Sequence, residues 1–553
     1  MIKKNLIRLA LVFALSNYKD YEDTSKEPSY MSYSRIVYFF IFVFFVTANA
    51  HGEEMDRQGT QWCPYIEWSI QAKIPDGNPF DVQARAIFIH SESGDSINTQ
   101  LYYGSGDTWK FRFTAPRIGE WHFTTHSNYE PLSGQTGVVV ISPNKNDSAH
   151  GFMKAFGSKW GWEGTEQAFI PQYVMAPDPE SLLMPDGTVN DSRIDELIKE
   201  FVGGHGFTGF HIPVRGGWFK GENPDLRIYR VVETIITKTH ARGGACHIWL
   251  WGSGSGGKKG EGPIALASGP MSKIDRRNLT YLAARLGPLP GWSMGYGFDC
   301  ENGWASVDEL DAWKAFLKSK MGYPHFLGAR VGSDEKGLFA VHPQPPRPPH
   351  DAGNRAPIAD QYTFWLGGDY IGYTSYRPLY PRYVQVIEHH GERPSFEEDR
   401  FRLRNEDKWN YKDYNEDLTR RGLWHSAMAG GVANIWGNLL PDSDNGGSRP
   451  YKIKEQIKTY SQFFEHRFLK EMTTEFLGPE LRLSTPDGTH AIIYREDADL
   501  VRLDLTRMKG PMPVVAVDIR APYKELDVGI LSSQHHAWQT PYRSDWAIAV
   551  GSF

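Results

Sequence analysis

The sequence predicts a multidomain protein, an α/β (β/α)8 TIM barrel flanked by two all-β sandwich domains, and three observations predict it. At 553 residues the chain is too long for one ordinary domain. Two stretches, about 60–142 and about 476–553, alternate apolar and polar residues with the period of strands. Between them the rhythm becomes strand, loop, helix, repeated as a parallel barrel requires. The division expected is 1–50 export segment, 51–148 β-sandwich, 149–475 catalytic barrel and 476–553 C-terminal β-sandwich.

The export segment comes first. Arg35, an apolar run from Ile36 to Val46 and the small-residue stretch Thr47 to Ala50 describe a signal peptide cleaved after Ala50, with Met31 as the natural start. The run is short for a spanning helix, so a membrane anchor is the weaker alternative. A secreted or periplasmic protein with no stable membrane span after cleavage is expected.

In the first sandwich, Trp109, Phe111 and Phe113 share one strand face, with Lys110 and Arg112 on the other. Trp121 and Phe123 repeat the pattern after the turn Pro116–Gly119, and Val138 to Ile141 closes it. The barrel strands are read as 167–174, 207–214, 245–251, 293–299, 325–330, 370–374, 394–397 and 431–436. Helices are expected at 192–202, 225–240, 272–286, 307–320 and 414–429, the first from Ile194, Leu197, Ile198 and Val202 at helical spacing. Asn190-Asp191-Ser192 caps that helix and Gly203-Gly204 stops it. A doubly wound sheet competes, but no GxGxxG fingerprint follows the first strand. The Gly252–Gly262 stretch lacks the Gly-Lys-Ser/Thr ending of a phosphate loop. It reads, like the Pro-rich segment 343–357, as a loop on the barrel rim. After the barrel, Ile492–Tyr494, Val501–Leu505, Val514–Val517 and Trp546–Val550 read as strands, Asp487-Gly488 as a hairpin turn, and the whole as a second small sandwich.

Composition narrows function. Net charge is −6 with no basic stripe, which argues against nucleic acid as a partner. Aromatic residues make up 14% of the chain, with 18 Trp and 27 Tyr, a share that serves either a β-rich core or the stacking of sugar rings. The cysteines are Cys63, Cys246 and Cys300; the latter two fall on adjacent barrel strands, where buried thiols are expected over a bridge. His389-His390 and His535-His536 lack carboxylates at ligand spacing, so no metal and no cofactor is expected.

Catalytic groups of such barrels sit at the C-terminal strand ends. Those ends read His211 to Arg215 followed by Trp218; His247, Trp249 and Trp251; Asp299, Cys300, Glu301 and Asn302; Tyr373; Glu397, Glu398 and Arg400; and Trp436. Carboxylates after strands four and seven, among Trp, His, Tyr and Arg, suit glycosidic-bond cleavage: one carboxyl must donate a proton and the other must be ionised. Arg400 could hold a nucleophile anionic. Glu397 and Glu398 are adjacent, so only one can point inward.

With those residues in place, the chain resembles the clan of retaining (β/α)8-barrel glycoside hydrolases, in particular apiosidase-like multidomain members. In these an N-terminal Ig-like module and a C-terminal collagen-binding-like sandwich flank the barrel. The turn 116–121 (Pro-Arg-Ile-Gly-Glu-Trp) and 541–547 (Pro-Tyr-Arg-Ser-Asp-Trp-Ala) resemble those modules. The resemblance implies Glu301 as acid/base and Glu398 as nucleophile, with Glu397 as the alternative. Glu398 is preferred because Glu397 still belongs to the strand while Glu398 begins the loop. Substrate contacts are then expected from His211, Arg215, Trp218, His247, Trp249, Trp251, Asp299, Asn302, Tyr373, Arg400 and Trp436. One departure stands: Cys300 precedes Glu301 where the clan has Asn, which leaves Asn302 as a substitute and Asp299 as a rival acid. The implied substrate is an extracellular polysaccharide or oligosaccharide, and the sandwiches would carry none of the catalytic groups. Two other classes compete: a non-catalytic carbohydrate-binding or adhesion protein on a degenerate barrel, and a polysaccharide lyase with a Tyr or His base.

Overall fold

The computed structural model describes residues 55–214, 217–251, 271–297, 300, 305–333, 365–374, 380–400, 416–437 and 453–553. The expected export segment therefore lies outside the described residues.

Parallel strands form the centre. They are β1 (Gln172–Met175), β2 (Gly209–Pro213), β3 (Ala245–Trp251), β4 (Trp292–Gly297), β5 (Phe326–Gly328 continued by Arg330–Ser333), β6 (Ile371–Thr374), β7 (Ser395–Arg400) and β8 (Ala433–Trp436). Neighbours pair in chain order, and β8 returns to β1. The first half of β5 pairs with β4 and the second half with β6, so the sheet closes through one stretch interrupted at Ala329. Among the described residues the α-helices are α1 (Asp191–Ile198), α2 (Leu226–His240), α3 (Lys273–Leu286), α4 (Val307–Met321), α5 (Tyr380–His390), α6 (Glu416–Met428) and α7 (Lys454–Phe464). Ser272 and Ser306 start α3 and α4 with capping boxes, each closed by an acid three residues on.

Alternation along each strand sorts the side chains into two layers. On β3, Cys246, Ile248 and Leu250 join the apolar layer against the helices, while Ala245 and Trp249 face the interior with Tyr173, Tyr370, Phe396, Ala433 and Ile435. Interior positions on β4 are small, Ser293, Gly295 and Gly297, because Trp292, Met294 and Tyr296 take the helix side. All three cysteines are free, and Cys246 and Cys300 are buried.

The sequence reading placed 167–174 in one strand. The chain instead uses Ala168–Phe169 in a small antiparallel sheet with Met153–Phe156 and Lys159–Trp162. This sheet brings Trp160 beneath the barrel, fully buried against Phe326 (5.1 Å), Tyr370 (5.7 Å) and Phe396 (6.1 Å). Its indole N–H donates to the Ser395 carbonyl at 3.2 Å. Trp160 is the floor of the barrel interior.

Ahead of the barrel, two sheets face each other. One contains strands 57–60, 136–142, 119–127, 84–90 and 96–100, the other 66–71, 108–113 and 102–105. Trp68, Phe88, Phe111, Phe113, Trp121 and Phe123 fill the space between them, with Trp68 stacked on Phe111 at 4.9 Å and Phe88 on Phe113 at 4.1 Å. After the barrel, six strands form one antiparallel sheet, not the two sheets of a separate sandwich. The long strands 491–504 and 535–550 shift register between Arg495 and Leu500, and the sheet curls over a core of Val501, Leu503, Val514, Ala516, Trp546 and Ile548. Its other face meets α6, where Trp424 stacks on Tyr494 at 5.5 Å.

Candidate active site

The interior of the barrel's C-terminal half holds one buried carboxylate, among the described residues, with aromatic and imidazole partners. β7 runs through Arg400, so Glu398 does not begin a loop as expected but remains in the strand. Phe396 points inward. Alternation then turns Glu398 inward as well and Glu397 toward the helix layer. Both glutamates are fully buried.

Each oxygen of Glu398 accepts a hydrogen bond. The Trp249 indole N–H donates to Oε2 at 2.5 Å, and the Tyr370 hydroxyl donates to Oε1 at 2.8 Å. Charge-assisted bonds of this kind favour the ionised carboxylate and fix its orientation. Burial, and the Glu398 charge beside it, raise the Tyr370 hydroxyl well above its ordinary pKa, so Tyr370 remains a neutral donor. The space for this cluster comes from glycine: an atom at the Cβ position of Gly372 would stand 3.1 Å from Glu398 Oε1, and one at Gly328 would enter the Tyr370 ring. Arg330 on β5 is buried with its guanidinium 5.8 Å over the Trp249 ring.

Beneath these lie two histidines. His247 Nε2 is 3.2 Å from the Tyr370 oxygen, and its Nδ1 is 2.9 Å from His211 Nδ1. The His211 ring meets Trp249 edge-on at 4.1 Å. Burial pushes His247 down to about 3, so its imidazole is neutral.

The structure brings together four of the expected residues, His211, His247, Trp249 and Glu398. Trp251, at the end of β3, joins the apolar cluster shared with the helices and stacks on Phe219 at 5.9 Å. Three expected substrate contacts lie apart from this cluster, in packing positions. Trp218 is fully buried against Tyr229 and donates its N–H to the Leu250 carbonyl. Trp436 faces away from the interior and donates to Gln172 Oε1 at 3.1 Å. Tyr373 alternates with the inward Gly372 and joins the helix-side layer. Arg215, Asp299, Glu301 and Asn302 lie outside the described residues, as does the side chain of Arg400. Tyr370 and Arg330 were missed. Glycine at alternate strand positions was the available signal, because Gly328 and Gly372 mark the parity on which Arg330 and Tyr370 point inward.

Comparison with known proteins agrees with this geometry at the level of fold. Residues 60–128 match a domain family described as a domain of unknown function (DUF5060). No curated protein matches the sequence. A candidate glycoside hydrolase from Bacteroides vulgatus superposes with a TM-score of 0.68 at 12% identity, over 90% of this chain and 100% of its own. A family 5 glycoside hydrolase from the same organism gives 0.52 at 13% identity, over 73% of this chain and 93% of its own. The structural neighbours are glycoside hydrolases, and the shared feature is the barrel fold.

Proposed function

We propose that this chain is a retaining glycoside hydrolase of the apiosidase-like multidomain type, acting on an extracellular polysaccharide or oligosaccharide. The observation that supports this reading best is the doubly anchored carboxylate of Glu398 inside the barrel. A nucleophile must be ionised and aimed, and two donors on separate oxygens supply both conditions. Glu398 attacks the anomeric carbon, and Glu301 protonates the leaving oxygen and then activates water. An atom at the Cβ position of Gly295 would stand 3.3 Å from Glu398 Oε2, so the strand that leads in sequence to Glu301 runs beside the nucleophile. For retention the two carboxyls lie about 5–5.5 Å apart in the working enzyme. Residues through Ala50 are removed on export, and the sheets on either side of the barrel support it without contributing catalytic groups.

The test is a screen against plant and algal polysaccharides, followed by variants. Reducing-sugar release without an unsaturated product separates hydrolysis from lyase action and from binding alone. Glu398→Gln is expected to abolish turnover, and azide to rescue Glu398→Gly as a glycosyl azide of inverted configuration. Glu301→Gln is expected to cripple poor leaving groups while sparing activated aryl glycosides. Near-normal activity of Glu398→Gln would overturn the assignment.

A further inference from the structure

His211 and His247 were expected as substrate contacts, yet both are fully buried below the carboxylate. Their hydrogen bonds can be assigned a direction. Ionised, Glu398 can only accept, so the proton of the Tyr370 hydroxyl is committed to Oε1. The Tyr370 oxygen must then accept from His247, which places a proton on His247 Nε2. A neutral imidazole carries one N–H, so His247 Nδ1 is an acceptor. The facing nitrogen of His211, 2.9 Å away, must therefore be the donor.

We infer that His211 and His247 are positioning residues that form a one-directional relay, His211 Nδ1–H to His247, His247 Nε2–H to Tyr370, Tyr370 O–H to Glu398, which keeps a donor aimed at the nucleophile. The inference rests on the reading of Glu398 as nucleophile. A tyrosine hydroxyl can turn between two in-plane orientations about its C–O bond. With a donor on its far side it has, among the described residues, one acceptor to turn to, and that is Glu398. The neutral state of His247 sets the direction of the first bond: a cation would carry hydrogens on both nitrogens, so its Nδ1 could not accept and His211 would become the acceptor. Trp249 adds the other donor independently. Among the described residues, the charged and titratable groups facing this column are Arg330 across the Trp249 ring, and Tyr173 and the Cys300 thiol near Tyr370.

Two readouts test the relay. Long-range nitrogen–proton spectra of the full chain labelled at histidine should show His211 carrying its proton on Nδ1 and His247 as the Nε2–H tautomer, with His247 neutral at pH 5. The signals are assigned by their loss in His211→Phe and His247→Leu. The reversed tautomers, or protonation of His247 near pH 6.5, would overturn the inference. In catalysis, His247→Leu should move the acidic limb of kcat/KM upward by about one pH unit, because Glu398 loses its steady donor. His247→Gln, whose amide can still donate to Tyr370, should restore most of that shift. A folded His247→Leu variant with an unmoved acidic limb would overturn the positioning role. A wild-type protein inactive on every glycoside, yet showing the expected tautomers, would overturn the glycosidase reading and leave the relay supported.

Discussion

At Gly295 a single hydrogen atom stands where any other residue would place carbon among three functional groups. A Cβ there would meet Trp249 Cδ1 at 2.9 Å, the Tyr370 hydroxyl at 3.2 Å and Glu398 Oε2 at 3.3 Å. Contacts under about 3 Å force movement, and here the neighbour is a ring locked in the barrel interior. Gly295→Ala should therefore displace Trp249 from Glu398. The expected outcome is a loss of about 100-fold in kcat with little change in KM, because displacements of about 1 Å in reacting groups cost that much. Steady-state kinetics checks it, with a thermal melt to show the fold intact. Unchanged kcat would mean that the indole bond to Glu398 has no part in turnover. The choice of Glu398 over Glu397 was legible in the sequence only as a preference, and its stated reason, a loop start, was not the operative one. Strand parity is what turns Glu398, and not Glu397, into the barrel interior. Parity also sets Tyr373 and Trp436 apart from the inward row: both sit at strand ends, where position along the strand is readable but facing is not, unless a glycine marks the inward row.

The strand 108–113 shows what an element with two buried faces does. Phe111 and Phe113 enter the N-terminal core, and Arg112 on the opposite face reaches the barrel helices. There Glu233 of α2 takes Arg112 at 2.8 Å and also pairs with Arg285 of α3, whose Nη2 donates at 2.7 Å. Burial acts to raise the Glu233 pKa, but the two guanidiniums outweigh it and hold the carboxyl below its ordinary value. Removing one partner from such a cluster leaves buried charge unpaired. Glu233→Gln should cost about 3–5 kcal/mol, read as a lower midpoint in urea denaturation. The triple change Arg112→Met, Glu233→Met, Arg285→Met should cost much less; equal losses in both would mean that charge is not what holds this joint. Elements of this kind were well read from periodicity, since α2, α3 and α4 begin and end within a residue or two of expectation. The floor sheet around Trp160 was not foreseen. Its strands are two to four residues long, too short for alternation to register.

For the molecule as a whole, buried neutral histidines set the response to acid. His240 is pushed down to about 4, chiefly by burial, and its Nε2 accepts a hydrogen bond from the Gly151 N–H, a bond that protonation would break. His247 lies at about 3. A group whose folded pKa is depressed below an unfolded value near 6.5 binds its proton more readily when unfolded, so stability falls as pH drops from about 6.5 toward the folded value. Each histidine should remove about 2 kcal/mol between pH 7 and pH 5. Glu67, which burial would raise but which Arg112, Lys110 and Tyr102 hold down at about 2, begins to withdraw its contribution only below the ordinary glutamate range. The melting temperature should therefore decline already between pH 7 and 5, before carboxylates titrate; a flat profile there would contradict neutral burial of these rings. The barrel was legible from rhythm alone, whereas the single curled C-terminal sheet was not, because strand pairing between distant segments leaves no local mark. That sheet also imposes a timetable on biosynthesis. Strand 535–550 lies between 491–504 and 512–518, and joins the hairpin 512–531 to the rest. It also carries Asp545, the carboxylate that receives Arg420 and Arg421 from α6. A nascent chain leaving the ribosome thus completes its barrel helices well before the counter-charge for one of them has been translated. Polypeptides interrupted ahead of residue 535 lack that carboxylate and leave Arg420 only Asp417, and Arg421 only Glu496, as the acidic partners the structure gives them among the described residues.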